Sequence, residues 1–337
     1  MSRMLKFAAA VGAITLFPAA LAPAAADNLK VVASFSIIAD FARNVGGDRI
    51  ELTTLVGPNG DVHVYEPRPA DAAAITGADV VLVNGLQFEG FLQRLVEASG
   101  ATAPVVELAK GSDVLRSKAG DHDHAIGDGD DHDDHAHDDE EEHAHDEDHA
   151  QDEGDGHHHR GEFDPHAWHS VHNAEVYVKN IADAFCAVDA AGCDTYKANA
   201  EVYGEQLEAL EETIKSAVAD IPQPKRTIIT SHDAFRYFAH EFGLKFLAPE
   251  GVSTESEASA GDVAALIRQV REDEASAIFV ENITNPRLIE QIASETGLKI
   301  GGKLYSDALS EGDGPAATYI EMMRHNLNTI KVAILGS

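Results

Sequence analysis

The chain has 337 residues, 58 of them acidic and 25 basic, for a formal net charge of −33. So large an acidic excess excludes nucleic acid and anionic membrane surfaces as partners and suits a protein that attracts cations. The length allows two domains of ordinary size once a leader and a compositionally biased tract are set aside.

The leader is read from residues 1–26. Arg3 and Lys6 make a basic start, Phe7 to Leu16 is a short apolar run, and Ala24-Ala25-Ala26 before Asp27 offers small residues for cleavage. This is the pattern of a secretory signal peptide, too short for a membrane span. No cysteine lies beside Ala26, so a soluble periplasmic protein without a lipid anchor is expected.

The first domain is assigned to residues 27–193. Leu29 to Phe35 is an apolar run that reads as a buried strand. Ile38, Phe41 and Val45 then mark one face of a helix stopped at Gly46-Gly47. A second strand runs from Arg49 to Val56 into the turn Gly57-Pro58-Asn59-Gly60. Pro69 opens a short helix to Thr76, and Asp79 to Asn84 is a third strand, continuously apolar as buried parallel strands are. Phe88 to Ala98 reads as an amphipathic helix and Val105 to Leu108 as a fourth strand.

An insertion, residues 113–161, interrupts this pattern. Between Asp121 and His159 it carries His122, His124, His132, His135, His137, His143, His145, His149, His157, His158 and His159, eleven of the chain's 18 histidines. It lacks apolar residues to bury, so it is expected to be disordered and to bind transition metals weakly at several places. At Phe163-Asp164-Pro165-His166-Ala167-Trp168 the composition changes abruptly, and the proline presets the loop that carries His166.

Ser170 to Val188 is helical in pattern. Cys186 and Cys193, the chain's two cysteines, are expected to form a disulfide. Their spacing is too wide for a C-x-x-C pair, and the short loop they close stabilises by roughly 2–3 kcal/mol. The linking helix, residues 194–220, repeats apolar residues from Tyr196 to Val218 every three or four positions. About 25 residues at ~1.5 Å each span about 38 Å, enough to cross between domains.

The second domain, residues 221–337, repeats the element order of the first. Strands are expected at Thr227 to Ser231, Leu244 to Leu247, Ala275 to Asn282 and within Leu298 to Leu304. Helices are expected at Asp233 to Phe242, from Gly261, at Pro286 to Thr296, and from about Ala316 to Leu335. The fold class is therefore α/β: two similar lobes, each with a four-stranded mainly parallel sheet flanked by helices, joined by one long helix.

In open α/β sheets, ligands bind beyond the carboxyl ends of the strands. Four candidate metal ligands fall there: His63 after the second strand, His166 after the fourth, His232 after the first strand of the second lobe, and Asp307 after its last. Three imidazoles and a carboxylate suit tetrahedral Zn²⁺, whereas manganese favours more oxygen. Four protein donors leave no open position for a catalytic water, so binding rather than catalysis is expected. His240-Glu241 starts like the H-E-x-x-H protease pattern, but Leu244 stands where the second histidine belongs. His169 and His172 follow His166 along a helical path, and His169 is placed to support the site.

The loop Gly60 to Pro67 around His63, Asp164-Pro165-His166-Ala167-Trp168, Ser231-His232-Asp233-Ala234-Phe235 and Tyr305-Ser306-Asp307-Ala308-Leu309-Ser310 together resemble the metal-binding receptors of bacterial ABC transporters, specifically the zinc-uptake ZnuA-like and TroA-like branch. The resemblance covers essentially the whole mature chain. It implies one metal ion in a cleft between two lobes, a stiff connecting helix, a His-rich loop in many zinc members, and delivery to a membrane permease with its cytoplasmic ATPase. A periplasmic zinc chaperone is a further candidate partner, and a monomer is expected. Manganese relatives usually carry Glu at the third ligand position, so His232 favours zinc. Some zinc members carry a Glu just before the first histidine, where this chain has Val62, so the fourth role falls on Asp307. The alternatives are a manganese or iron receptor of the same fold, a zinc buffer acting through the tract, and an exported zinc hydrolase.

Overall fold

β1 (Leu29–Phe35), β2 (Ile50–Val56), β3 (Val80–Val83) and β4 (Val105–Glu107) form one sheet in the order β2-β1-β3-β4, with every pair parallel. α1 (Ser36–Gly46), α2 (Pro69–Thr76) and α3 (Leu92–Ser99) are its crossovers. All four residues of β3 are buried, as the uninterrupted apolar run requires of a strand covered on both faces. The structure, a computed structural model, describes residues 28–117 and 161–336. The leader and the eleven histidines of the Asp121 to His159 tract lie outside the described residues.

α4 (Val171–Val188) starts at Ser170, whose hydroxyl accepts the Asn173 N–H at 3.1 Å. α5 (Cys193–Ala219) is the longest helix, and Cys193 opens it rather than preceding it. The Cys186–Cys193 disulfide joins the two helices. The second sheet comprises β5 (Thr227–Ile229), β6 (Lys245–Leu247), β7 (Ala277–Glu281) and β8 (Ile300–Leu304), again all parallel, in the order β6-β5-β7-β8. α6 (Arg236–Phe242), α7 (Ala260–Glu272) and α8 (Arg287–Thr296) connect its strands, and α9 (Tyr319–Leu335) returns across the molecule. The repeat expected from element order is present as two sheets of identical topology.

Three expected helices begin late: α3 at Leu92, α6 at Arg236 and α9 at Tyr319. Leu86 and Gln87 take φ of +54° and +63°, so Phe88 to Phe91 turns before α3 starts at Leu92. Asp233 to Phe235 is likewise not helical, and there the Asp233 N–H donates to the Gly251 carbonyl at 3.0 Å.

One continuous apolar core runs from the first sheet through α4 and α5 to Phe235, Phe246, Phe279 and Leu304 of the second lobe. A smaller core lies between the second sheet and α7 and α8, around Ile229, Ile267, Ile278 and Ile292. The lobes are thus joined by packing as well as by α5. α9 adds to the joint, since Asp40 of α1 accepts the Tyr319 N–H at 3.0 Å. No helix among the described residues is long and apolar enough to cross a membrane.

Candidate metal centre

The four candidate residues arrive on four loops, and each loop has a local reason for its shape. His63 follows the Gly57-Pro58-Asn59-Gly60 turn. Asn59 has φ +54°, and a Cβ at Gly60 would lie 2.7 Å from a Val56 methyl carbon and 3.0 Å from the Gly57 carbonyl oxygen. Only glycine fits that close approach. Asp61 Oδ1 then accepts the His63 N–H at 2.9 Å. His166 is held in the same manner: Asp164 Oδ1 accepts its N–H at 3.0 Å and also pairs with its Nδ1 at 2.8 Å.

In the second lobe, Glu281 at the end of β7 accepts the Ser231 and His232 N–H groups at 2.7 and 2.9 Å, and its other oxygen lies 2.7 Å from His232 Nδ1. The Asp307 loop is pinned by Asn326, whose Oδ1 accepts the Tyr305 N–H at 2.9 Å, and by the Trp168 indole, which donates to the Ser306 carbonyl at 3.1 Å.

These loops bring one donor atom from each of His63, His166, His232 and Asp307 within 4.8 Å of one another. Asp307 Oδ2 lies 3.2 Å from Nε2 of both His63 and His232, and Oδ1 lies 3.7 Å from Nε2 of His166. All three Nε2 atoms therefore converge on one carboxylate. His63 Nε2, His166 Nε2 and Asp307 Oδ1 are buried without a hydrogen-bond partner among the described residues. Buried polar atoms left open in this way need a partner, and a cation amid three imidazoles and a carboxylate supplies one. Phe88 walls the site, its ring 5.0 Å from that of His63 and 4.8 Å from Trp168.

The electrostatics follow from burial and from the acids around the rings. Burial lowers the His166 pKa, but the Asp307 and Asp164 carboxylates more than reverse it and raise the value to about 9. For His232, burial is likewise overcome by Glu281 and Asp307, and the pKa rises well above the ordinary range. Burial would raise Asp307, yet the facing His232 and His166 hold it well below the usual carboxylate range. The buried acids thus favour the protonated forms of His166 and His232. A transition-metal ion takes the same donors with the imidazoles neutral.

Asp164 and Glu281 are the residues to which sequence reasoning assigned no role. Asp164 hydrogen-bonds the far nitrogen of His166, and a Glu281 oxygen lies 2.7 Å from that of His232, so each carboxylate backs a ring that faces the centre. Asp164 had a signal: the pattern Asp-x-His occurs at Asp61-Val62-His63 and again at Asp164-Pro165-His166. Glu281 had none, lying 49 residues from its partner. His169 is buried against Phe235, with ring centroids 4.6 Å apart. Burial, helped by the nearby His166, lowers its pKa to about 3. It is not among the four converging donors, and His172 is largely exposed.

The family model for the periplasmic zinc-uptake complex component A, ZnuA, matches residues 31–333. The chain is 34% identical over 304 residues to the manganese-binding lipoprotein MntA of Halalkalibacterium halodurans, covering 90% of this chain and 87% of that one. It is 31% identical over 308 residues to the iron ABC transporter substrate-binding lipoprotein MtsA of Streptococcus pyogenes, covering 91% and 89%. Among solved structures it superposes on a manganese-bound periplasmic metal-binding protein from Candidatus Liberibacter asiaticus with a TM-score of 0.74 at 29% identity, over 91% of this chain and all of that one. The periplasmic zinc-binding protein TroA from Treponema pallidum gives 0.75 at 25% identity, over 91% and 99%.

These relatives correct one expectation. MntA and MtsA are both named lipoproteins, which overturns the reading of a soluble chain without a lipid anchor. That reading rested on one missing cysteine beside residue 26, in a leader outside the described residues. The two parallel sheets, the converging donors and a family match over nearly the whole described length agree: the chain belongs to the zinc-uptake component A family, the metal-binding substrate receptors of ABC transporters.

Proposed function

We propose that His63, His166, His232 and Asp307 hold one divalent metal ion and that zinc is the cargo, delivered to an ABC permease driven by its ATPase. The observation that carries this reading is the convergence of three imidazole nitrogens and one carboxylate within 4.8 Å. Zinc prefers such a nitrogen-rich tetrahedral set, while manganese favours more oxygen. Four protein donors close the coordination sphere, so the chain binds and releases rather than catalyses. The Asp121 to His159 tract is proposed to gather further ions weakly.

A second reading, manganese or iron as cargo, is favoured by the names of MntA and MtsA, two of the most similar relatives. The relatives lend no support to a separate zinc chaperone or to a particular oligomeric state.

The test is a competitive titration of the chain lacking Asp121 to His159 with Zn²⁺, Mn²⁺ and Fe²⁺ in parallel. One tight zinc site with weak manganese and iron supports the main reading. Tight manganese or iron at physiological excess supports the second. Loss of all tight binding would mean that the four residues are not the ligand set and that the tract is the functional element.

A further inference from the structure

His63 differs from the other candidate ligands in how it is held. The rings of His166 and His232 are each braced at Nδ1 by a buried carboxylate, Asp164 and Glu281. His63, the least buried of the four, is braced through its backbone, by the Asp61 Oδ1 bond. The second oxygen of the same carboxylate accepts the Thr254 hydroxyl at 2.6 Å, from the opposite lobe and 193 residues along the chain.

Thr254 belongs to the segment between β6 and α7, and that segment starts beside His232. Glu250 bridges to His232 as an isolated parallel pair, and the Asp233 N–H donates to the Gly251 carbonyl at 3.0 Å. One carboxylate therefore ties the loop of the outermost ligand to the segment flanking the ligand across the cleft. The near end of the His63 loop is fixed separately, because the Asn59 N–H donates to the Leu309 carbonyl at 2.9 Å. Beside the contact of the His63 ring with Asp307 at the centre itself, the Asp61–Thr254 bond is the described hydrogen bond that ties this end of the loop to the second lobe.

We propose that Asp61 is a positioning residue and that Thr254 is its latch: the Asp61–Thr254 bond keeps His63 against the centre, and its breaking lets the His63 loop swing away first and release the ion. The inference rests on His63 being a metal ligand, as proposed above. A hydrogen bond to an ionised carboxylate is among the stronger ones and is geometrically specific. It is also single and lies at a partly exposed edge, which suits a contact that a docking event can break.

The experiment uses the full chain loaded with Zn²⁺ and follows transfer of the ion to a chelator by stopped flow, for wild type, Thr254→Ala, Thr254→Ser and His63→Ala. Thr254→Ala should speed dissociation about tenfold, the worth of one charge-assisted hydrogen bond, with association unchanged and metal-free thermal stability lowered by no more than that one bond. Thr254→Ser should restore the wild-type rate. An unchanged dissociation rate in Thr254→Ala, while His63→Ala abolishes tight binding, overturns the latch and leaves the ligand set standing. Faster dissociation with a loss of metal-free stability greater than that one bond and no rescue by serine also overturns it, since that is a general packing defect. Unchanged zinc affinity in His63→Ala removes the ligand assignment and the latch with it.

Discussion

Asp307 faces three imidazoles at once, and its charge decides how the metal-free centre titrates. With its pKa at about 9, His166 holds a proton at neutral pH when no ion is bound. A ligating imidazole must give that proton up, so metal affinity should rise with pH toward about 9 and fall as pH drops. Calorimetry in two buffers of different ionisation enthalpy should show proton release on zinc binding at neutral pH, and pH-independent affinity would refute the coupling. The sign is opposite for the metal-free fold. A raised histidine pKa contributes stability that is fully present below the ordinary value of 6.5 and lost as pH rises through about 9. The bracing acids give a second prediction. Glu281→Gln keeps the size of the side chain but removes the charge beside His232 Nδ1, and it should weaken metal binding about 10–100-fold, measured by chelator competition, with the fold retained. The chain's single Trp offers a direct signal: Trp168 lies 5.3 Å from the His166 ring, and its fluorescence should change on zinc addition and stay unchanged in His166→Ala.

At the scale of elements, α4 and α5 separate a stabilising device from the metal centre. The disulfide sits at the far end of α4 from Ser170, and 18 residues at ~1.5 Å each put roughly 27 Å between its ends. Replacing both cysteines with serine should cost about 2–3 kcal/mol by the loop-closure argument, read from denaturant unfolding, and leave zinc affinity untouched. A change in affinity would mean that α4 transmits strain to the Trp168 turn. The helix joint is more sensitive. Asp40 is buried in α1 and accepts the Tyr319 N–H of α9 at 3.0 Å and the Tyr203 hydroxyl of α5 at 3.4 Å. Asp40→Ala would leave a buried N–H without a partner, at about 1–3 kcal/mol.

At the scale of the whole molecule, packing opposes a large movement of one lobe against the other. The principal core is continuous between the lobes, and Tyr237 of the second lobe adds hydrogen bonds to first-lobe backbone, accepting from the Leu115 N–H at 3.0 Å and donating to the Asp164 carbonyl at 2.6 Å. A large hinge opening would expose that core and break these bonds together. Small-angle scattering of the metal-free and zinc-loaded chain should therefore give the same radius of gyration within error, with any change confined to loops such as 57–68. A clear contraction on zinc binding would show lobe closure and contradict this view. The continuity also explains why stiffness cannot be assigned to α5 alone.

The strands, most helix bounds and the order of elements were legible in sequence because each depends on neighbours a few residues apart. The buried run of β3, Pro69 at the start of α2 and the three-to-four repeat of α5 are local facts. The four candidate ligands were also legible, since the sheet topology sends every strand end to one side and the residue types there are unusual. The bracing of those residues was decided only in three dimensions. Glu281 reaches His232 across 49 residues and Thr254 reaches Asp61 across 193, and no periodicity or spacing links such pairs. The late start of α6 has a similar origin, because the Asp233 N–H is turned to the Gly251 carbonyl in the next loop rather than into the helix. Sequence determined which groups could meet a metal. Packing of the two lobes decided how tightly each is held, because a hydrogen bond depends on distance in space and not along the chain.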